Sequence, residues 1–243
     1  MSLDPPARVL VLMDQPLLAD TVVLTLNHGR FLARVAPAVP AAAALLPEWR
    51  PHLAVIDMDF GGGRLLQELG VERDGHGLTV PVLALTRRGD LKTKLAAFDQ
   101  GVDDVMTVPF SPAELVARAL VITRRAHGAQ PVLQPTIRIG EIEIDILNRE
   151  VRTGTSVVHL TGIEQSLLYV LAANAGKVIS RDEILDALWG SDFIAESNIV
   201  DRHVRGLRSK LQNDWRRPRF IETVPGRGYR FIPTFTDEAE PSN

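Results

Sequence analysis

Five times between residues 8 and 126 a short run of uninterrupted apolar residues is followed by a stretch of helical periodicity. The runs are Arg8–Asp14, Phe31–Ala36, Leu53–Met58, Val80–Thr86 and Asp103–Val108. Continuous Val, Leu and Ile, without alternation of polar residues, mark strands buried on both faces. The helical stretches are Pro16–Asn27, Val39–Leu46, Gly63–Gly70, Leu91–Gln100 and Pro112–Arg125. Such a repeat closes as a doubly wound five-stranded parallel sheet of the α/β class, with ligands expected at the carboxyl ends of its strands.

After Arg125 the repeat stops. The stretch 127–135 is rich in Gly, Pro and Gln without periodicity and reads as a linker between a domain at 8–126 and a second at 136–234. With 243 residues, of which 45% are apolar, the chain is long enough for two packed cores. The second domain shows short strands at Ile137–Ile146, Glu150–Thr153 and Ser156–Leu160, then three helices and a terminal hairpin. Thr161…Glu164 and Ser180…Glu183 are capping boxes that set two helix starts. Residues 235–243 form an acidic tail expected to be disordered.

The absence of cysteine excludes disulfides, thiolate nucleophiles and Cys-based zinc sites. The longest apolar runs, such as Val9–Met13, fall short of the roughly 18 residues of a membrane span, and Asp4, Pro5 and Pro6 are unlike a signal peptide. A cytoplasmic protein without membrane contact, resident metal or cofactor is expected.

The formal net charge of −3 argues against nucleic acid, but its distribution argues for it. Between Arg202 and Arg230 lie nine Lys and Arg residues against only Asp214 and Glu222. A local basic block is what phosphate binding requires. The third helix of the second domain, opening near Ser197, carries Val200, Val204, Leu207 and Leu211 on one face. Asn198, Arg202, Arg205 and Ser209 repeat on the opposite face, flanked by Arg208 and Lys210. Arg pairs with guanine and Asn with adenine in the major groove, so this face has the chemistry of base readout. A plain surface helix, with Asp201 paired to Arg205 or Arg208, is the competing reading. Two strands around Pro225-Gly226-Arg227-Gly228 then form a wing, with Arg227 at its tip and Tyr229 just beyond.

Residues 137–232 resemble the effector domain of OmpR/PhoB-type response regulators. The likeness rests on Leu160-Thr161…Glu164, Gly176-Lys177-Val178-Ile179-Ser180-Arg181, Leu188-Trp189-Gly190, Val200-Asp201…His203, Leu207-Arg208…Lys210-Leu211 and Thr223-Val224…Gly226-Arg227-Gly228-Tyr229, in order. It implies an α+β winged-helix domain that binds double-stranded promoter DNA at tandem half-sites. It also implies contact with RNA polymerase through the loop Ser191 to Glu196.

Residues 8–125 are similar to the family's receiver, a flavodoxin-like domain. The resemblance makes Asp57 the phospho-acceptor position, Asp14 the second residue of an acidic pair, Thr86 the pocket hydroxyl and the region of Asp59 a source of a backbone carbonyl. Two parts differ: Met13 stands where the family has a carboxylate, and Val108 where it has a lysine. A thioether is a poor ligand for hard Mg²⁺, and valine carries no charge to meet a phosphoryl group. Val105 also replaces the aromatic switch residue, and the loop after Asp57 is shortened. The receiver is therefore read as a dimerisation module that works without conventional phosphorylation. Lys94, Asp103, Asp104, Glu114, Arg118 and Arg125 match charges that pair across the family's two-fold interface, which implies a homodimer.

A conventional regulator phosphorylated on Asp57 by a histidine kinase is the alternative. A haloacid-dehalogenase-type phosphatase is a third reading, because Asp57-Met58-Asp59 at a strand end with Thr86 nearby resembles that nucleophile and acid pair. The missing lysine and the attached winged helix weigh against an enzyme.

Overall fold

The computed structural model describes residues 6–29, 31–60, 65–66, 80–128, 133–190, 193, 198–211 and 216–232. The first half is a five-stranded sheet in the order β2-β1-β3-β4-β5, all neighbours parallel. Its strands are β1 (Ala7–Leu12), β2 (Phe31–Ala36), β3 (Leu53–Asp57), β4 (Val82–Thr86) and β5 (Asp104–Thr107). Every residue of β3 and β4 is buried, the physical reason for their unbroken apolar sequence.

Successive strand residues point to opposite faces and so split between two layers. Val9, Val11, Val55, Leu83 and Leu85 pack under helices α1 (Pro16–Leu26) and α4 (Pro112–His127). Leu10, Leu12, Ala54, Ile56, Val82 and Ala84 pack under α2 (Val39–Trp49) and α3 (Leu91–Asp99). Helix α2 runs past the expected end at Leu46, through Pro47, to Trp49, and Arg50 closes it in the left-handed region with its N–H on the Leu46 carbonyl. Of the helix expected at Gly63–Gly70, Leu65 and Leu66 are helical and buried, while the remainder lies outside the described residues.

In the second half the stretch read as one strand, Ile137–Ile146, is two: β6 (Thr136–Ile139) and β7 (Ile142–Asp145). Gly140, with φ of 59°, makes the turn between them. With β8 (Glu150–Thr153) and β9 (Ser156–His159) they form an antiparallel four-stranded sheet. Helices α5 (Gly162–Ala173) and α6 (Arg181–Trp189) both begin at complete capping boxes, Thr161 with Glu164 and Ser180 with Glu183. The two-residue β10 (Val178–Ile179), β12 (Gly228–Phe231) and β11 (Ile221–Val224) make a second sheet that carries the wing. A Cβ on Gly228 would stand 2.0 Å from the Ile179 carbonyl oxygen, so only glycine lets the wing close onto β10. This is a winged helix built around α7 (Ile199–Lys210).

The two halves share one hydrophobic core, in which Leu18, Val22, Val108 and Phe110 meet Leu167, Val170, Ala187 and Leu188. Polar bonds cross the same seam. His28 Nδ1 faces the Gln134 carbonyl at 2.7 Å, so it carries the ring proton, and Nε2 accepts from the Tyr169 hydroxyl at 2.6 Å. Burial lowers the His28 pKa, in keeping with this neutral ring. Ser166 Oγ donates to the Phe110 carbonyl at 3.1 Å, and Lys177 pairs with Asp20 at 3.3 Å.

Candidate nucleic-acid interface and receiver pocket

Helix α7 begins at Ile199, with Asn198 at its cap, where its side chain makes no capping bond; Ser197, the expected start, lies outside the described residues. Val200, Val204, Leu207 and Leu211 are buried against the second domain. Arg202, Arg205 and Ser209 lie exposed on the opposite face, and Asn198 is exposed at its start. Arg227 is exposed at the wing tip, where its N–H closes the turn on the Val224 carbonyl at 3.0 Å.

Three residues expected in the DNA-binding set also make bonds within the domain. Arg208 donates to the Ile221 carbonyl at 2.9 and 3.2 Å and to Thr223 Oγ1 at 2.8 Å, which ties the recognition helix to the first wing strand. Lys210 donates to the His159 carbonyl at 2.9 Å and to Glu164 at 2.7 Å, joining α7 to the capping box of α5. Tyr229 is buried, and its hydroxyl donates to Asp201 Oδ1 at 2.5 Å. These bonds give Arg208, Lys210 and Tyr229 a part in holding the helix, the wing and α5 together.

Asp201 pairs with neither Arg205 nor Arg208. It accepts from Arg181 Nε at 2.7 Å as well as from Tyr229. Burial raises the Asp201 pKa, but the bonds from Tyr229 and Arg181 together outweigh it and hold the carboxyl below its ordinary value. Tyr229 is pushed up to about 12, by burial first and then by the Asp201 carboxylate. The guanidinium groups of Arg181 and Arg208 lie over its ring at 4.9 and 5.4 Å. Trp189, ending α6, stacks on Phe193 and lies 5.6 Å from the His203 ring on α7. Of the loop expected to touch RNA polymerase, Ser191 to Glu196, only Phe193 is among the described residues.

In the receiver, Asp57 ends β3 and is 1% exposed, Thr86 ends β4, and Met13 and Val108 are buried. Asp14 and Asp59 are exposed beside them. Asp57 Oδ1 accepts the Asp59 N–H at 2.9 Å. Its other oxygen is paired with Arg87 Nη1 at 3.1 Å. Burial raises the Asp57 pKa and outweighs the opposing effect of the guanidinium. Asp59 accepts from the Arg87 amide at 2.7 Å and, at 3.3 Å, from the Thr86 hydroxyl.

A cation that the sequence reading did not name, Arg87, is therefore present beside Asp57. Arg87 escaped the sequence reading because it belongs to no motif. Its signal is positional: residues just past adjacent parallel strands converge at the sheet's carboxyl edge, and Arg87 is the first after β4.

On the expected dimer face, Arg118 pairs within its own chain with Asp104 at 2.5 Å and with Glu114 at 2.7 Å. Asp103 accepts the Val82 N–H at 2.7 Å. Lys94 is half-buried on α3, and Arg125 is exposed near the end of α4. Beside Lys94 stand three apolar residues that sequence periodicity did not single out, Leu91 (71% exposed), Leu95 (53%) and Phe98 (42%).

A buried aspartate ending the third strand of a five-stranded parallel sheet, joined to a winged helix with a cationic outer face, has the architecture of a DNA-binding transcriptional response regulator. Residues 9–120 match the model of the response regulator receiver domain, and residues 154–231 that of the transcriptional regulatory protein C-terminal domain. The chain is 33% identical over 231 residues to the transcriptional regulatory protein TrcR of Mycobacterium tuberculosis, covering 94% of this chain and 88% of TrcR. It is 36% identical over 183 residues to the KDP operon transcriptional regulatory protein KdpE of Escherichia coli, covering 75% of this chain and 80% of KdpE. Among solved structures, the Thermotoga maritima OmpR/PhoB homologue DrrB aligns over 93% of this chain and 99% of its own at 26% identity, with a TM-score of 0.42. The chain belongs to the OmpR/PhoB family of DNA-binding transcriptional response regulators. These relatives are transcriptional regulators, not enzymes, and family membership implies DNA and a kinase as partners. Among the described residues no helix is long and apolar enough to cross a membrane.

Proposed function

We propose that this chain is a sequence-specific promoter-binding regulator, acting as a homodimer, whose DNA binding does not depend on phosphorylation of Asp57. The observation that carries the second part is the Arg87–Asp57 ion pair. One carboxylate oxygen holds a guanidinium and the other a backbone N–H. A divalent cation would share Asp57 with that guanidinium and would meet the Met13 thioether where the family supplies a carboxylate, so the donor set fits Mg²⁺ poorly. Val108 lies in the apolar seam with Leu18, Phe110 and Leu188, and a lysine there would have to reach out of it. Incubation with acetyl phosphate or phosphoramidate and Mg²⁺ is expected to leave the intact mass unchanged, and Asp57→Asn is expected to retain operator binding. A single phosphate on the wild type but not on Asp57→Asn, with tighter operator binding, would restore the conventional mechanism and its histidine kinase.

The dimer is assigned to α3, β5 and α4. Support comes from the exposed stripe Leu91, Leu95 and Phe98 beside the charged set of Lys94, Asp104, Glu114, Arg118 and Arg125. Leu95→Asp places a charge in that stripe without touching the core. It is expected to shift sedimentation toward monomer and to weaken a two-half-site operator more than a single half-site, because avidity is lost. Unchanged sedimentation in that variant rejects this interface. RNA polymerase, reached from the loop after Trp189-Gly190, completes the proposed set of partners.

A further inference from the structure

An unbroken line of side chains leads from Asp57 out of the receiver and into the winged-helix domain. Arg87 Nη1 donates to Asp57 Oδ2 at 3.1 Å, and Arg87 Nη2 donates to Gln15 Oε1 at 3.1 Å. Gln15 Nε2 in turn donates to Asp186 Oδ2 at 2.5 Å. Asp57, Arg87 and Gln15 sit at the carboxyl edge of the receiver sheet, whereas Asp186 lies on α6 of the second domain. A second contact joins the same partners. The stem of Arg87 lies against Gly190, the residue that caps the C-terminus of α6, where a Cβ would stand 3.2 Å from Arg87 Cδ and φ is +87°.

We infer that Asp57 anchors an interdomain latch: its carboxylate fixes the Arg87 guanidinium, and Arg87 fixes helix α6 of the effector domain through Gln15 and Gly190. Each part has the required chemistry. The planar guanidinium presents one nitrogen to an acid and another to an amide oxygen, a fork that lysine lacks. Gln15 accepts with one end and donates with the other, so it joins a cation on one side to a carboxylate on the other. The two terminal nitrogens of Arg87 carry the line, since among the described residues its buried Nε has no hydrogen-bond partner. At its far end the latch reaches DNA-binding machinery, because Trp189, one residue before Gly190, packs on His203 of the recognition helix. The inference goes beyond the phosphorylation-free reading and does not need it, since the ion pair positions α6 whether or not Asp57 can also be modified.

The cysteine-free sequence allows a spin-label pair to be introduced without background. Leu32→Cys on β2 and Asp182→Cys on α6 are both exposed positions outside the latch. Pulsed electron paramagnetic resonance on the full chain is expected to give one narrow distance distribution. Asp57→Asn, Gln15→Ala and Arg87→Lys are each expected to add a second, longer-distance population. Lysine retains a cation for Asp57 but has no second nitrogen for Gln15, so it separates the latch from charge balance in the pocket. Because the links act in series, Asp57→Asn combined with Gln15→Ala is expected to shift no more molecules than the stronger single variant. An unchanged narrow distribution in Gln15→Ala overturns the inference, and so does a second population that appears in Asp57→Asn alone. Gln15 is half-exposed and outside both cores, so its variant gives an answer even if substitutions at Arg87 compromise folding.

Discussion

Arg87→Ala is expected to cost about 2–3 kcal/mol of stability at neutral pH, whereas Asp57→Asn is expected to cost little or nothing. The asymmetry follows from which charge is left behind. Asp57 is almost wholly buried, and removing its cation strands a carboxylate in a low-dielectric pocket; breaking a buried pair in this way costs about 3–5 kcal/mol. The Arg87 side chain retains 21% exposure, so water enters the gap and brings the cost to the foot of that range or just below it. In the converse variant the neutral amide escapes desolvation, and Arg87 can swing toward solvent. For a chain of this size the Arg87→Ala loss corresponds to roughly 5–10 °C in melting temperature.

The pH dependence has a definite sign. Burial raises the Asp57 pKa in the folded state, so the folded protein holds that proton more tightly than the unfolded chain. Stability from this group is therefore greatest below the ordinary carboxylate value and falls as pH rises through the raised one. Without Arg87 the folded pKa rises further, so the deficit of Arg87→Ala should be larger at pH 8 than at pH 5. Adding Asp57→Asn to Arg87→Ala should recover most of the loss. A deficit equal at both pH values and unrelieved in the double variant would show that Arg87 acts through packing rather than charge.

Legibility in the sequence follows the range of the interaction. The inner strands β3 and β4 are legible because burial on both faces forces continuous Val, Leu and Ile, whereas β2, expected to be buried likewise, is an edge strand that leaves Leu32, Arg34 and Val35 exposed. Helices α5 and α6 are legible because a capping box is a local device written within four residues. The turn at Gly140 is written in the sequence as a phase shift, since the two-residue alternation of Ile137 and Ile139 resumes only at Ile142, Ile144 and Ile146, and reading the stretch as one strand overlooks that shift. The outer face of α7 was readable from its 3.6-residue period, but a period states which side a residue is on and not what it bonds to. Arg208 and Lys210 are therefore indistinguishable in sequence from Arg202 and Arg205, and only the fold brings the Ile221 carbonyl and Glu164 beside them. Likewise the Tyr229 side chain on β12 meets Asp201 only in the folded wing. Arg87 was the least visible of all, since its partners Asp57 and Gln15 are 30 and 72 residues away.

The same division between framework and reading face sets the expected outcome at the DNA interface. Arg202→Ala or Arg205→Ala should weaken binding to the cognate operator by about 1–3 kcal/mol, roughly 5- to 150-fold, and relax preference at one base pair. Both side chains lie opposite the buried Val204 and Leu207, so truncation removes readout without opening the core. Arg227→Ala at the wing tip should instead weaken specific and random DNA alike and lower the salt slope by about 1, the mark of a lost phosphate contact. Tyr229→Phe and Arg208→Ala belong to a different class. They break the bonds to Asp201 and to Ile221 and Thr223, so their effect should appear first as a lower melting temperature of the winged helix. Binding titrations at two salt concentrations, on operator and on scrambled DNA, separate these outcomes. If Arg202→Ala and Arg205→Ala leave the ratio of specific to random affinity unchanged, the exposed face of α7 is not the reading surface.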